Sequence, residues 1–205
     1  MQALTAPLME LAEYEEIRQR RKDGAGMIRI AGCATSQKAH MMYALSDGFI
    51  YKVIACSSEA KAKQIYEDYR FLDGDTYLYP AKDLLFYQAD IRGRELARRR
   101  MEVLEAVIKG KPVTVVTTVD AFMDLLLPRE EMAKRTLRIS GEGALDMTEM
   151  AGKLSAIGYE REVQTDAPGQ FAVRGGILDV YPLTEELPVR VELWGDELDS
   201  IRTFD

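Results

Sequence analysis

Two cysteines, one histidine and one tryptophan in 205 residues leave little for metal or nucleophile chemistry to build on. Cys33 and Cys56 do not form a CxxC pair, which excludes a zinc knuckle and fits a reducing compartment. His40 has neither a second histidine nor a cysteine cluster to work with and reads as an ordinary surface or core residue. No apolar run approaches the roughly 18 residues of a membrane span, and the N-terminus lacks the basic-then-apolar order of a signal peptide. The expectation is a soluble, cytoplasmic chain with no membrane partner. Basic charge is scarce where it would matter for nucleic acid: residues 137–205 hold 6 Lys/Arg against 14 Asp/Glu. Nucleic-acid affinity comes mainly from neutralising phosphates, so the partner of this acidic part is expected to be protein.

What is present is a globular composition, 47% apolar, in a chain long enough for one large or two small cores. From Pro7 to Leu127 helical and strand-like stretches alternate in the manner of a parallel α/β lobe. Helices are predicted over Pro7–Lys22, Ser36–Leu45, Glu59–Phe71 (capped by Ser57 or Ser58), Arg94–Ile108 and Asp120–Leu127. Strands are predicted over Met27–Ala31, Ile50–Cys56, Thr76–Tyr79 and Val113–Val119. Past Arg135 the pattern changes to one helix, Asp146–Ile157, and several strands, the first expected over Tyr159–Thr165. The resulting division is 1–132, a degenerate RecA-like lobe, and 133–205, a smaller α+β domain with a mostly antiparallel sheet.

A RecA-like lobe needs a phosphate loop. The candidate, Gly32 to Ala39, keeps the first Gly and Lys38 of GxxxxGK[ST], but Gln37 replaces the second Gly and Ala39 the Ser/Thr. The lost glycine lets backbone N–H groups wrap the phosphates, and the lost hydroxyl holds Mg²⁺. No nucleotide cofactor is expected, and Lys38 reads as a relic or a residual anion contact. Asp196-Glu197-Leu198-Asp199 has the letters of a DExD box but falls in a turn after Gly195, and reads as a hairpin. Arg92, Arg94, Arg98, Arg99 and Arg100 are the one basic cluster. No aromatic residue interleaves them, so they read as a solvated helix face rather than a DNA site.

The most informative stretch is Gly169–Pro182 followed by Pro188–Glu197. Val189, Val191 and Leu193 alternate strictly with Arg190, Glu192 and Trp194. Phe171 and Val173 share the apolar face with Arg174 opposite, and the Gly175-Gly176 pair is expected to absorb a bulge that returns Leu178 and Val180 inward. Both strands then present an arginine outward. An exposed Trp beside arginines on a rigid sheet has the composition of a binding hot spot; isolated Arg and Trp that merely cover their neighbours have the same pattern.

Those two segments, with Gly195 to Asp205, resemble the UvrB-homologous module of the bacterial transcription-repair coupling factors (Mfd), densely over the last forty or so residues and collinearly from about Ile28. The resemblance implies a UvrA-binding domain in which Arg174, Arg190 and Trp194 are the contacts to UvrA. Trp194 stands where such modules commonly carry Phe. It also implies a lobe that has lost ATP binding, no catalytic residue and no metal site in this segment, and an excised fragment. The ATP- and Mg²⁺-dependent motor, the RNA polymerase contact and the DNA contact would lie elsewhere. The alternative is a nucleotide- or DNA-handling lobe of a UvrB-like helicase working through Lys38. A third possibility is that the sheet face docks on another domain of the full-length protein.

Overall fold

Short β-branched runs become strands and the charged, capped stretches between them become helices. The computed structural model describes residues 5–24, 26–82, 91–140 and 145–205, without the side chains of 35, 36 and 91–94. By Cα proximity the chain forms two units, one of 1–81 with 111–123 and one of 82–110 with 124–205.

In the first unit a 3₁₀ turn (Ala6–Glu10) leads to helix α1 (Ala12–Lys22), then α2 (Thr35–Leu45), β1 (Tyr51–Cys56), α3 (Glu59–Arg70), β2 (Thr76–Tyr79), β3 (Val113–Thr118) and the single-turn α5 (Val119–Phe122). The strands form an all-parallel sheet in the order β1-β3-β2. Helix α3, capped by the Ser58 hydroxyl that accepts from Lys61 N, packs on it through Ala62, Ile65 and Tyr66 against Cys56, Val116 and Leu78. A smaller cluster of Leu8, Tyr14 and Ala44 joins α1 to α2.

Four local expectations are corrected. The helix expected over Pro7–Lys22 is broken at Leu11, whose backbone is extended (φ −89°, ψ 119°). Met27–Ala31 is not a strand: Met27 is 91% exposed, and with no strand among the described residues to pair with, local propensity yields no ladder. The helix of Asp120–Leu127 stops after one turn, because three consecutive leucines at 125–127 cannot share one helical face; Leu125 is 94% exposed. The strand expected over Tyr159–Thr165 shrinks to Glu160–Arg161, since Gln170 Oε1 accepts from Asp166 N and Ala167 N at 3.0 and 2.9 Å and turns the chain there.

In the second unit lie α4 (Ile91–Ile108), α6 (Arg129–Lys134), α7 (Met147–Ala156) and strands β4 (Glu160–Arg161), β5 (Gln170–Arg174), β6 (Ile177–Val180), β7 (Val189–Trp194) and β8 (Glu197–Thr203). The sheet runs in sequence order, antiparallel except for β4 with β5. The fold class expected from sequence is therefore the observed one. Asp146 caps α7 by accepting from Thr148 N and Glu149 N at 2.7 and 3.1 Å. That helix lays Met150 and Leu154 on Phe171, Leu178, Val180 and Val191.

Gly175-Gly176 is a hairpin turn rather than a bulge within one strand, with Arg174 paired to Ile177. Gly175 takes φ +61°, and Gly176, whose carbonyl accepts from Leu193 N–H at 2.8 Å, runs so close to β7 that a Cβ there would stand 2.8 Å from Leu193 O. The irregularity sits instead between β7 and β8 at Glu192/Leu193. Gly195-Asp196 turns β7 into β8, the hairpin the sequence indicated.

Candidate protein-docking face

Because α7 covers one side of the five-stranded sheet, the alternate residues of β5 to β8 form the other side. Register sets their rows. Ala172, Asp179, Arg190 and Arg202 lie side by side across the strands, and Arg174, Ile177, Glu192 and Ser200 form the next row. Trp194 follows two residues beyond Glu192, opposite Glu197, about 13 Å along the strand from Arg190.

The centre of this face is Asp179, whose carboxylate is 1% exposed. Arg190 grips it with two parallel bonds, Nε to Oδ1 at 2.6 Å and Nη2 to Oδ2 at 2.8 Å, and Arg174 Nη2 donates to the same Oδ2. Burial pushes the Asp179 carboxyl up, but the hydrogen bonds and charges of Arg190 and Arg174 outweigh it and hold it below its ordinary value. The Arg190 guanidinium also lies over the Phe204 ring, 4.5 Å from its centroid. Beside this cluster Glu192 accepts from Ser200 Oγ and Arg202 Nη2, both at 2.7 Å. Its carboxyl is lowered by the Ser200 hydrogen bond first and the Arg202 pair second.

The cations are far more open than the carboxylate between them: the Arg174 side chain is 49% exposed and Arg190 24%. Trp194 is 85% exposed. The sequence-derived trio therefore shares one open sheet face, with the two arginines brought together and Trp194 at its far end. Sequence reasoning missed Asp179, Phe204, Arg202 and Ser200. The signal for Asp179 was there, since it lies between Leu178 and Val180, and returning those two inward turns Asp179 toward Arg190.

The stretch read from sequence as a phosphate-loop candidate, Gly32 to Ala39, is closed by its own bonds. Gln37 Oε1 accepts from Ala34 N at 3.0 Å, and Lys38 N donates to Ala34 O at 3.2 Å as the first turn of α2. Ala39 is 4% exposed and packed, while Lys38 is exposed. In the basic cluster Arg98 pairs with Glu95 and Glu102, Arg99 with Glu95, and Arg100 with Asp124 at 2.8 Å while 8% exposed. Glu95 is lowered to about 2, chiefly by the Arg98 hydrogen bond against a smaller burial effect. Arg92 and Arg94 lie outside the described side chains. Among the described residues no group of three His, Cys, Asp or Glu is placed to hold a metal, and no helix is long and apolar enough to cross a membrane.

A two-unit α/β chain whose second sheet has one covered and one open, ion-paired face is built like an interaction module. Residues 137–205 match the family model of the UvrB interaction domain. Relatives include the transcription-repair-coupling factors of Bacillus subtilis strain 168, 36% identical over 146 residues, covering 70% of this chain and 12% of that protein. That of Staphylococcus aureus strain USA300 is 29% identical over 212 aligned positions, covering all of this chain and 18% of that protein. The chain belongs to the transcription-repair coupling factor family, as a UvrB-homologous module with a UvrB interaction domain. It spans less than a fifth of the length of these relatives.

Proposed function

We propose that this chain is a non-catalytic protein-binding module that recruits UvrA in transcription-coupled nucleotide excision repair, with Arg174, Arg190 and Trp194 as the contacts. The observation that carries this reading is the convergence of two partly exposed guanidiniums, fixed on one carboxylate, on the sheet face that α7 leaves open, with an 85%-exposed indole on the same face. Aromatic and arginine side chains of this kind dominate interface energetics, and a guanidinium fork suits a partner carboxylate. Residues 133–205 would be the docking domain, supported by the family match over 137–205, and 1–132 the degenerate RecA-like lobe. Closure of the phosphate loop by Gln37 and burial of Ala39 support a lobe that takes up no nucleotide. In the whole protein, acting in the cytoplasm, the module would bring excision factors to polymerase stalled on damaged DNA, the motor and the polymerase and DNA contacts belonging to other regions.

The test is calorimetric titration of the chain with UvrA. Wild type is expected to bind, and Arg174→Ala/Arg190→Ala to lose about 100-fold or more in affinity. Unchanged affinity overturns the assignment. A parallel titration with Mg·ATP is expected to show no binding; tight uptake favours the nucleotide-handling alternative.

A further inference from the structure

Two guanidiniums that both contact one carboxylate oxygen would repel one another and sample many rotamers if that carboxylate were absent. Asp179 removes both problems before any partner arrives. Its Oδ1 and Oδ2 take Arg190 in a planar, two-bond grip, Oδ2 also takes Arg174, and the Phe204 ring seats the Arg190 guanidinium 4.5 Å from its centroid. Arg190 Nη1 and Arg174 Nε and Nη1 take no part in these contacts, so each guanidinium keeps donors for another acceptor. Asp179 itself is 1% exposed and so is not a surface for a partner to touch.

We propose that Asp179 is a positioning residue of the docking face, which holds Arg174 and Arg190 in the orientation that receives carboxylates of the partner and acts on binding only through them. This rests on the UvrA-docking reading above. The physical gain is preorganisation, because rotamer freedom lost by two long side chains at the moment of association weakens binding, and here it is lost on folding.

Charge and orientation predict opposite outcomes for Asp179→Asn, which keeps the shape and makes the face one unit more positive. If charge alone governed attraction to an acidic partner, the variant would bind UvrA more tightly. Preorganisation predicts binding about tenfold weaker, mostly in the dissociation rate. The experiment is a cycle of wild type, Asp179→Asn, Arg174→Ala/Arg190→Ala and the triple variant, each titrated with UvrA and checked for cooperative melting. The expected result is a loss for Asp179→Asn in the wild-type background and no further loss when both arginines are already gone. Wild-type or tighter binding by Asp179→Asn, or an equal loss in both backgrounds, overturns the positioning role while leaving UvrA docking intact. Full affinity of Arg174→Ala/Arg190→Ala instead removes the docking reading and this inference with it. If Asp179→Asn does not melt cooperatively, Asp179→Ser takes its place in the same cycle, with the same loss expected in the wild-type background alone, and wild-type binding or an equal loss in both backgrounds again overturns the role.

Discussion

Among the described residues, Asp73 and Asp179 are concealed carboxylates with cationic partners, and they do opposite things with the same chemistry. In the first unit Asp73 accepts from Lys52 Nζ at 2.8 Å and from Thr114 Oγ1 at 2.8 Å, with side-chain exposures of 18% for Lys52 and 15% for Asp73. Lys52 and Thr114 are register partners near the starts of β1 and β3, the end of a parallel sheet where ligands do not ordinarily bind. Both charges are turned inward, and the cluster ties a loop to the sheet. In the second unit Asp179 is hidden more completely, at 1%, yet Arg174 over it is 49% exposed and Arg190 24%. A lysine is a point charge that one carboxylate and its neighbours satisfy; a guanidinium has five donors and can be held by some while offering others. Concealed cation and carboxylate together make a brace, whereas a concealed carboxylate under exposed cations makes a presented surface.

Breaking the frame of the second cluster should have the largest effect. Gly176→Ala places a methyl 2.8 Å from Leu193 O and is expected to destabilise the second unit by about 3 kcal/mol, read as a shift of the urea midpoint. Breaking the brace comes next. Lys52→Met leaves Asp73 without its cation and is expected to cost about 2 kcal/mol by the same measurement, discounted for the partial exposure of the pair.

Acid should then loosen both clusters. Burial raises Asp73, but the Lys52, Thr114 and Asp75 hydrogen bonds lower it further, so its folded value lies below the ordinary one, as that of Asp179 does. Stability from a depressed carboxyl is full above its unfolded pKa and is lost as pH falls through the folded value. Melting temperature is therefore expected to fall below about pH 4, less steeply in Asp73→Asn and Asp179→Asn. Burial pulls Lys52 down, but the Asp73 hydrogen bond together with the charge interactions of Tyr69, Asp73 and Tyr43 outweighs it and raises it, so its share is full below about pH 10 and is lost above the folded value. The brace alone should therefore weaken at both ends of the pH scale.

The smallest stability effects belong to the presented groups. Arg174→Ala is expected to cost less than about 1 kcal/mol, its side chain being half exposed, and Trp194→Ala to stay within about 0.5 kcal/mol. Both should nonetheless weaken UvrA binding about tenfold. A large stability loss in either would show that the residue is a brace and not a presented group.

Element type was legible where the chain signalled it locally. Strict alternation in Val189–Trp194 located β7, Asp146 announced its helix, and Gly195 with polar followers marked a turn. Local signals failed where partners decide. Met27–Ala31 has strand propensity but no ladder, and the Gly175-Gly176 pair, expected to absorb a bulge, is a hairpin turn because β6 pairs back on β5. The candidate site was half legible: parity put Arg174, Arg190 and Trp194 on one face, while the carboxylate beneath the arginines was overlooked.

The sequence alone determined the α/β then antiparallel order and the outward side of three residues, because each follows from short-range spacing and side-chain chemistry. Only the tertiary structure decided that Asp179, eleven residues before Arg190, lies directly across from it in the sheet. Cross-strand neighbours are set by register, and register is fixed by turns and by burial of the opposite face, which no single stretch of chain contains.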